Sequence, residues 1–403
     1  MQCPPLERLS PTPIVADVAF LIACLLFVIA LVRQELRWRR SNFYWVLGFY
    51  ATACVLSRIA VATPEVHPDS LLIEAYLLAA AILTFNLVQS EAVLKLVAEG
   101  WMVGTAVTAL AAIVGVFLFY AGAKPETNVL LSSYGTLVPG DYPRVRGLFL
   151  NMNMCCNYLS IGFVLLLGML SVGWIGKRWA LLLGAAVVIA SIFTFSLGLG
   201  GLALGIGVWM STRYHERGRP IASRFAWLAG AAVAVAFLGA MLVSPPSLFA
   251  QDGKLQLRIS RWNPSGRVLC WRDAWNTVWQ NKWFGKGPGM PVAGVHLLTA
   301  SGEQQFLTDA HNTFLSVTAH EGLLGLAAFC ILLIFVFRKP KFRTKGRSEV
   351  VMHTAVWIGL MQALLYQGLG GSWEHTRHIW VLIGLVAALQ PNPNWETGDT
   401  LPI

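Results

Sequence analysis

Apolar runs of membrane-crossing length recur along this chain, and the polar segments between them are short except for one. The runs fall at about 18–32, 43–61, 71–88, 101–121, 148–172, 179–195, 197–210, 227–243, 312–337, 351–369 and 378–389. A helix crosses about 30 Å of hydrocarbon with roughly 20 residues. The pattern therefore predicts an all-α polytopic membrane protein with about 11 (10–12) transmembrane helices. Continuous apolar runs, in place of short alternating strands, argue against a β-barrel. The organisation expected is transmembrane helices over 1–243, a helical loop region over 244–311, and the last spans with a C-terminal tail over 312–403.

Charge fixes the direction of the spans. Arg33, Arg37, Arg39 and Arg40 follow the first run, Lys177 and Arg178 the fifth, and Arg213, Arg217, Arg219 and Arg224 the seventh. Arg338, Lys339, Lys341, Arg343, Lys345 and Arg347 follow the ninth, with no acid among them. If every run crosses, all of these loops lie on one side, which the positive-inside rule makes the cytoplasm. The count depends on a tight reversal near Thr194-Phe195-Ser196, where two glycine-rich runs almost touch. An additional short or re-entrant element at the N-terminus would give twelve spans and move that end inside. The first run lacks a clear basic leader and a small-residue cleavage site, so it reads as a retained span.

The exported segments are then 122–147, 244–311 and 370–377. The longest has seven basic residues against Asp252, Asp273, Glu303 and Asp309, a net +3 where positive charge is normally depleted. Such a surface suits an anionic ligand. Within it, Val268, Trp271, Trp275, Val278 and Trp279 recur at helical spacing, with Ser265 as a possible N-cap and Gly285, Gly287, Pro288 and Gly289 as stops. Indoles on one face predict a helix at the membrane interface, which would hold Arg267 and Arg272 near headgroup level.

Composition agrees: the 403 residues are 56% hydrophobic and 12% charged, with a formal charge of +10. Basic residues scattered between spans report on membrane lipids and not on nucleic acid. Cys24, Cys54, Cys155, Cys156 and Cys330 lie in apolar runs, and Cys3 and Cys270 in polar ones, so no disulfide framework is expected. His320-Glu321 suggests a zinc helix, but position 324 is Leu, and the His-Glu-x-x-His spacing fails. Glu321 itself lies inside a span, where an ionisable group usually faces a cavity or a partner. Asn151, Asn153 and Asn157 fit interhelical hydrogen bonding better than a site.

Four motifs in order carry a family resemblance. They are Arg146-Gly-Leu-Phe-Leu-Asn-Met-Asn153, Ser265-Gly-Arg267-Val-Leu-Cys-Trp271, Phe284-Gly-Lys-Gly-Pro-Gly289, and His311-Asn312-Thr-Phe-Leu315 followed by Glu321-Gly-Leu-Leu-Gly325. Together they resemble the O-antigen ligase and O-antigen polymerase superfamily. That resemblance implies a glycosyltransferase of the GT-C type in the bacterial inner membrane, acting on the periplasmic face. It would move a glycan from undecaprenyl pyrophosphate to an acceptor hydroxyl without metal or cofactor. The acceptor is lipid A core in ligases and a polyprenyl-linked glycan in polymerases of O-antigen or exopolysaccharide. The ligase is the preferred reading, the polymerase its alternative, and a transporter or flippase for lipid-linked sugar a more distant one.

On this resemblance His311 corresponds to the functional histidine, able near neutral pH to take a proton from a sugar hydroxyl. Arg267, Arg146 and Arg144, followed by Arg272 and Arg261, are the expected pyrophosphate ligands, since arginine forks pair with phosphate oxygens. Asn312, Asp309 and Glu321 are expected to support them. Family members often carry Ser-Arg-Gly after the tight reversal, whereas this chain reads Ser196-Leu197-Gly198. Either Arg144 or Arg146 compensates, or the donor is held differently.

Overall fold

The computed structural model describes residues 11–61, 69–123, 128, 130–131, 136–137, 140–141, 143–149, 151–242, 249–251, 254–256, 266–298, 304–338 and 346–390. Its helices are α1 (Pro11–Val32), α2 (Phe43–Ala60), α3 (Asp69–Leu87), α4 (Glu91–Tyr120), α5 (Met152–Val172), α6 (Lys177–Phe193), α7 (Leu199–Glu216), α8 (Pro220–Leu242), α9 (Gly266–Gln280), α10 (Thr313–Phe337), α11 (Arg347–Met361) and α12 (Arg377–Leu389). A π-helical turn (Gln362–Tyr366) and a 3₁₀ turn (Gln367–Leu369) extend α11. Every apolar run of the sequence is matched by one helix, and α9 is the additional loop helix. Among the described residues, seven helices are long and apolar enough to cross a membrane. The all-α expectation holds for the spans, while the connecting segments add three antiparallel hairpins: β1 (Thr136–Leu137) with β2 (Gly140–Asp141), β3 (Phe249–Gln251) with β4 (Lys254–Gln256), and β5 (Val295–Leu298) with β6 (Gln304–Leu307).

Local capping explains where several helices begin. The fourth starts ten residues before its apolar run, because Ser90 accepts a hydrogen bond from the Val93 amide and Glu91 places an acid in the first turn. Asn151 caps α5 through the Met154 amide at 2.8 Å, and Asn312 caps α10 through the Leu315 amide at 3.0 Å. Asn157 Oδ1 accepts from His378 Nε2 of α12 at 2.8 Å, and Asn153 accepts from Ser196 at 2.8 Å. Asn157 ties two helices together as the sequence suggested, Asn153 ties α5 to the reversal before α7, and Asn151 instead caps its own helix.

The helix ends sort into two layers. In one layer the Arg39 guanidinium donates to the carbonyls of Phe85, Val88 and Ala388 at 3.0 Å each, closing the C-terminal ends of α3 and α12. Gln390 donates to Phe335 and Val336 at the end of α10, and Ser348 of α11 donates to Glu91 of α4. Near the C-terminus of α5, Gly168 packs against Met352 and Ala355 of α11. The basic stretches at 33–40 and 177–178, and Arg338 and Arg347, therefore all leave the bundle at this end.

The seventh helix settles the direction at the short reversal. Gly184 of α6 faces Phe163 and Leu166 of α5, so α6 runs back along α5; Gly198 then faces Cys156, and Gly205 faces Val164, so α7 runs parallel to α5 again. The chain reverses at 194–198, with Phe195 in a left-handed conformation (φ 47°). Arg213 and Arg217 thereby join the basic layer. In the opposite layer lie the N-termini of α5, α7, α10 and α12 together with α9. The first helix also begins there, where Asp17 pairs with Arg377 at 2.7 Å.

The tenth helix is broken. At Gly322 the backbone leaves helical geometry (φ 72°, ψ −169°), dividing α10 into a first half ending at Glu321 and a second half from Leu323. Irregular backbone at membrane depth persists only where protein satisfies its polar groups. Here the loop after α9 does so.

Candidate active site

The segment 143–146 lies against the α6–α7 reversal. The Val145 amide donates to the Phe193 carbonyl at 3.0 Å, and Arg144 donates through Nε to the Thr194 carbonyl at 3.2 Å and through a terminal nitrogen to Phe195 at 3.4 Å. This holds the Arg144 guanidinium at the reversal, on carbonyls two and three residues before Leu197, the position at which the resemblance leads one to expect an arginine. Of the two arginines expected to compensate, Arg144 has side-chain hydrogen bonds at the reversal. The Arg146 amide donates to the Leu130 carbonyl at 3.0 Å, which fixes its backbone one step further along the same segment.

The second cation arrives on α9. This helix buries Cys270, Ala274 and Val278 at a spacing of four, which turns Arg267 inward and leaves Trp275 and Trp279 exposed. The exposed indoles fit the interfacial face expected from the sequence. Trp271, one turn after Arg267, instead points inward and donates its indole N–H to the His311 carbonyl at 3.3 Å. Burial, and then the neighbouring Arg144 charge, lower the Arg267 pKa from its ordinary value. The two guanidiniums are thus close enough to repel, an arrangement that a bound polyanion would relieve.

His311 sits in the left-handed region at φ 49°, uncommon for a residue with a side chain. Its Nδ1 lies 3.5 Å from Asp309 Oδ2, and the other Asp309 oxygen accepts from Ser372 at 2.6 Å. Burial lowers the His311 pKa, Asp309 works against that, and Arg267 adds to it. The balance keeps the imidazole neutral at pH 7, the form that accepts a proton.

The remaining motifs interlock through backbone. Lys286 and Gly287 amides donate to the Ala319 and His320 carbonyls at 2.8 and 3.0 Å, and the Leu323 amide donates to Lys282 at 2.8 Å. A side chain at Gly285 would strike the His320 carbonyl, and one at Gly322 the Trp283 carbonyl, while both residues have φ of 72°. Only glycine permits this approach. The Phe284-Gly285 and Glu321-Gly322 motifs are therefore two sides of one joint.

The structure brings Arg144, Arg267, Asp309 and His311 together and leaves other candidates elsewhere. Arg272 is 70% exposed at its side chain and lies 3.7 Å from Asp273. Asn312 serves as the α10 cap and also reaches the Leu369 carbonyl at 3.5 Å. Glu321 is buried beside the α10 break, on the far side of that half-helix from His311 along the chain. Arg261 and Ser265 lie outside the described residues.

Sequence reasoning passed over Ser372, Glu374 and His375, and Glu74 of α3. Thr313 donates to the Gly371 carbonyl at 3.0 Å and accepts from the Trp373 amide at 2.9 Å, drawing this loop onto the start of α10. A signal was present: Glu374-His375-Thr-Arg-His378 concentrates two of the chain's eight histidines within five residues at the entry to α12.

A helical bundle with a broken span, its basic loops at one end and half-buried Arg144, Arg267 and His311 at the other, defines a multi-pass membrane protein whose candidate site gathers positive charge. Residues 196–330, about a third of the chain, match the family model described as O-antigen ligase, and this supports the resemblance to the O-antigen ligase and polymerase superfamily. The match spans α7 to α10, including Arg267, His311 and the glycine joint, and supports a glycan-transferring role. No curated protein and no solved structure matches the chain.

Proposed function

We propose that this protein transfers a glycan from a polyprenyl pyrophosphate, such as undecaprenyl pyrophosphate, to an acceptor hydroxyl at the periplasmic face of the bacterial inner membrane. The observation that carries the proposal is the convergence of Arg144, Arg267 and His311 from three separate segments at the end of the bundle opposite the basic loops. Arg144 and Arg267 bind the pyrophosphate, with Arg146 two positions after Arg144 in the same segment. His311 takes the acceptor proton, the freed oxygen bonds to the anomeric carbon, and the pyrophosphate leaves with the electrons of the broken glycosidic bond. Charge grows on the leaving group as that bond breaks, so preformed cations there favour the transition state. Asp309 orients the imidazole and stabilises it once protonated.

The ligase, with lipid A core as acceptor, is the reading carried forward. Purified protein in detergent, given an undecaprenyl-pyrophosphate glycan with lipid A core or with a second donor molecule, separates the possibilities. Transfer to the core supports the ligase. Chain extension on the donor supports a polymerase. No transfer to either acceptor by folded protein overturns the proposal and leaves transport of the lipid-linked sugar.

A further inference from the structure

A second polar cluster, which the proposed transfer reaction does not use, lies between the first half of α10 and the loop before α12. His320 comes from the first half of α10, Glu374 and His375 from the loop before α12, and one donor atom of each lies within 4.8 Å of the others. Glu374 is 1% exposed and His320 7%. Neither carboxylate oxygen of Glu374 has a hydrogen-bond partner among the described residues, and the same holds for Glu321 next to His320. Glu74, 3% exposed, lies 2.9 Å from His375 through one carboxylate oxygen, so the cluster gathers carboxyl and imidazole groups in a place shielded from water.

The outward nitrogens of both imidazoles are already committed. His320 Nε2 lies 2.9 Å from the Met290 carbonyl, so it carries the proton and leaves Nδ1 with its lone pair turned inward, beside Ser316 Oγ at 3.3 Å. His375 Nδ1 lies 2.9 Å from Glu74, which leaves Nε2 facing Glu374 Oε1 at 3.9 Å. An imidazole whose far nitrogen is held by a carbonyl or carboxylate is the usual form of a metal-ligating histidine. Tetrahedral zinc, about 2.1 Å from each ligand, separates ligand atoms by roughly 3.4 Å. The ligand atoms lie within 4.8 Å of one another, so metal binding requires them to draw in by about 1 Å.

We propose that His320, Glu374 and His375 bind a divalent transition-metal ion, with zinc the best match, and that the ion clamps the 372–376 loop to the first half of α10. Two imidazoles and one carboxylate suit zinc, whereas magnesium and calcium favour sites built of oxygen alone. Glu321 stands next to the cluster as a fourth ligand or as the partner of a bound water. The ion takes no part in the transfer step. It fixes the loop that presents Ser372 to Asp309, and so acts on His311 only through position.

Metal content tests this without any glycan donor, so its outcome is separate from that of the transfer assay. The full chain is purified in detergent without a polyhistidine tag, loaded with zinc, desalted and measured by plasma mass spectrometry. About one zinc per chain is expected for the wild type. Glu374→Gln and His320→Asn should lose most of it while remaining monodisperse, and Arg272→Ala should keep it. Cobalt(II) loaded into the wild type should give the strong visible absorption of a tetrahedral site. A chelator should lower the melting temperature of the wild type and leave that of Glu374→Gln unchanged. Zinc no higher in the wild type than in Glu374→Gln, with cobalt showing only its aqueous spectrum, overturns the proposal.

Discussion

Ser372 donates a 2.6 Å hydrogen bond to Asp309, so a loop more than sixty positions away in the chain holds the carboxylate that faces His311. The acid is shared between a histidine on one side and a hydroxyl on the other. Its orientation therefore depends on the packing of the α12 loop against the start of α10.

The pH dependence of transfer should report this arrangement. Burial and Arg267 hold the His311 pKa below its ordinary value and Asp309 opposes them. Activity that requires the neutral ring is then present at neutral pH and is lost as the pH falls below the ordinary histidine range. Asp309→Asn removes the opposing influence and should move the acidic limb to lower pH. Arg267→Gln should move it to higher pH, in addition to its effect on rate. The folded state also favours the neutral ring, so the stability that His311 contributes lies above its unfolded pKa of about 6.5 and declines below it. Rate profiles of the purified variants check both signs.

The arginines should separate by position. Arg144→Gln and Arg267→Gln remove cations at the proposed pyrophosphate, and each should reduce the turnover rate by about 100-fold, as for loss of one preorganised donor. Arg272→Ala, at an exposed side chain, should change it by less than about threefold. Equal losses in all three, at equal expression, would contradict the assignment.

The backbone joint makes a stability prediction. Gly285→Ala and Gly322→Ala each introduce a side chain against a carbonyl at positive φ, and should cost about 3 kcal/mol or prevent folding. Gly48→Ala, where nothing lies within 4 Å, should be neutral or slightly stabilising. Thermal melting in detergent compares them.

Trp271 joins α9 to His311 through one indole hydrogen bond. Trp271→Phe keeps the aromatic body and loses that bond, so it should lower the turnover rate by roughly tenfold with a small change in melting temperature. Unchanged turnover would show that α9 positions only Arg267.

The sequence by itself determined the spans and the grouping of the basic loops. Membrane helices are written as continuous apolar runs, and the loops at 33–40, 177–178, 213–224 and 338–347 alternate with them in step. It also determined α9, since Trp271, Trp275 and Trp279 at a spacing of four form one stripe of a helix whatever that helix packs against. Even there, contact changed the reading: Trp271 turns inward to His311, and Arg39, one of the loop arginines, closes two helix ends. Only the tertiary structure decided that Arg144 stands at the reversal on the Thr194 and Phe195 carbonyls, that Gly285 and Gly322 form one joint, and that Glu74, His320, Glu374 and His375 meet. Those relationships are made by backbone carbonyls and by side chains far apart in the chain, and neither leaves a periodic trace in the order of residues.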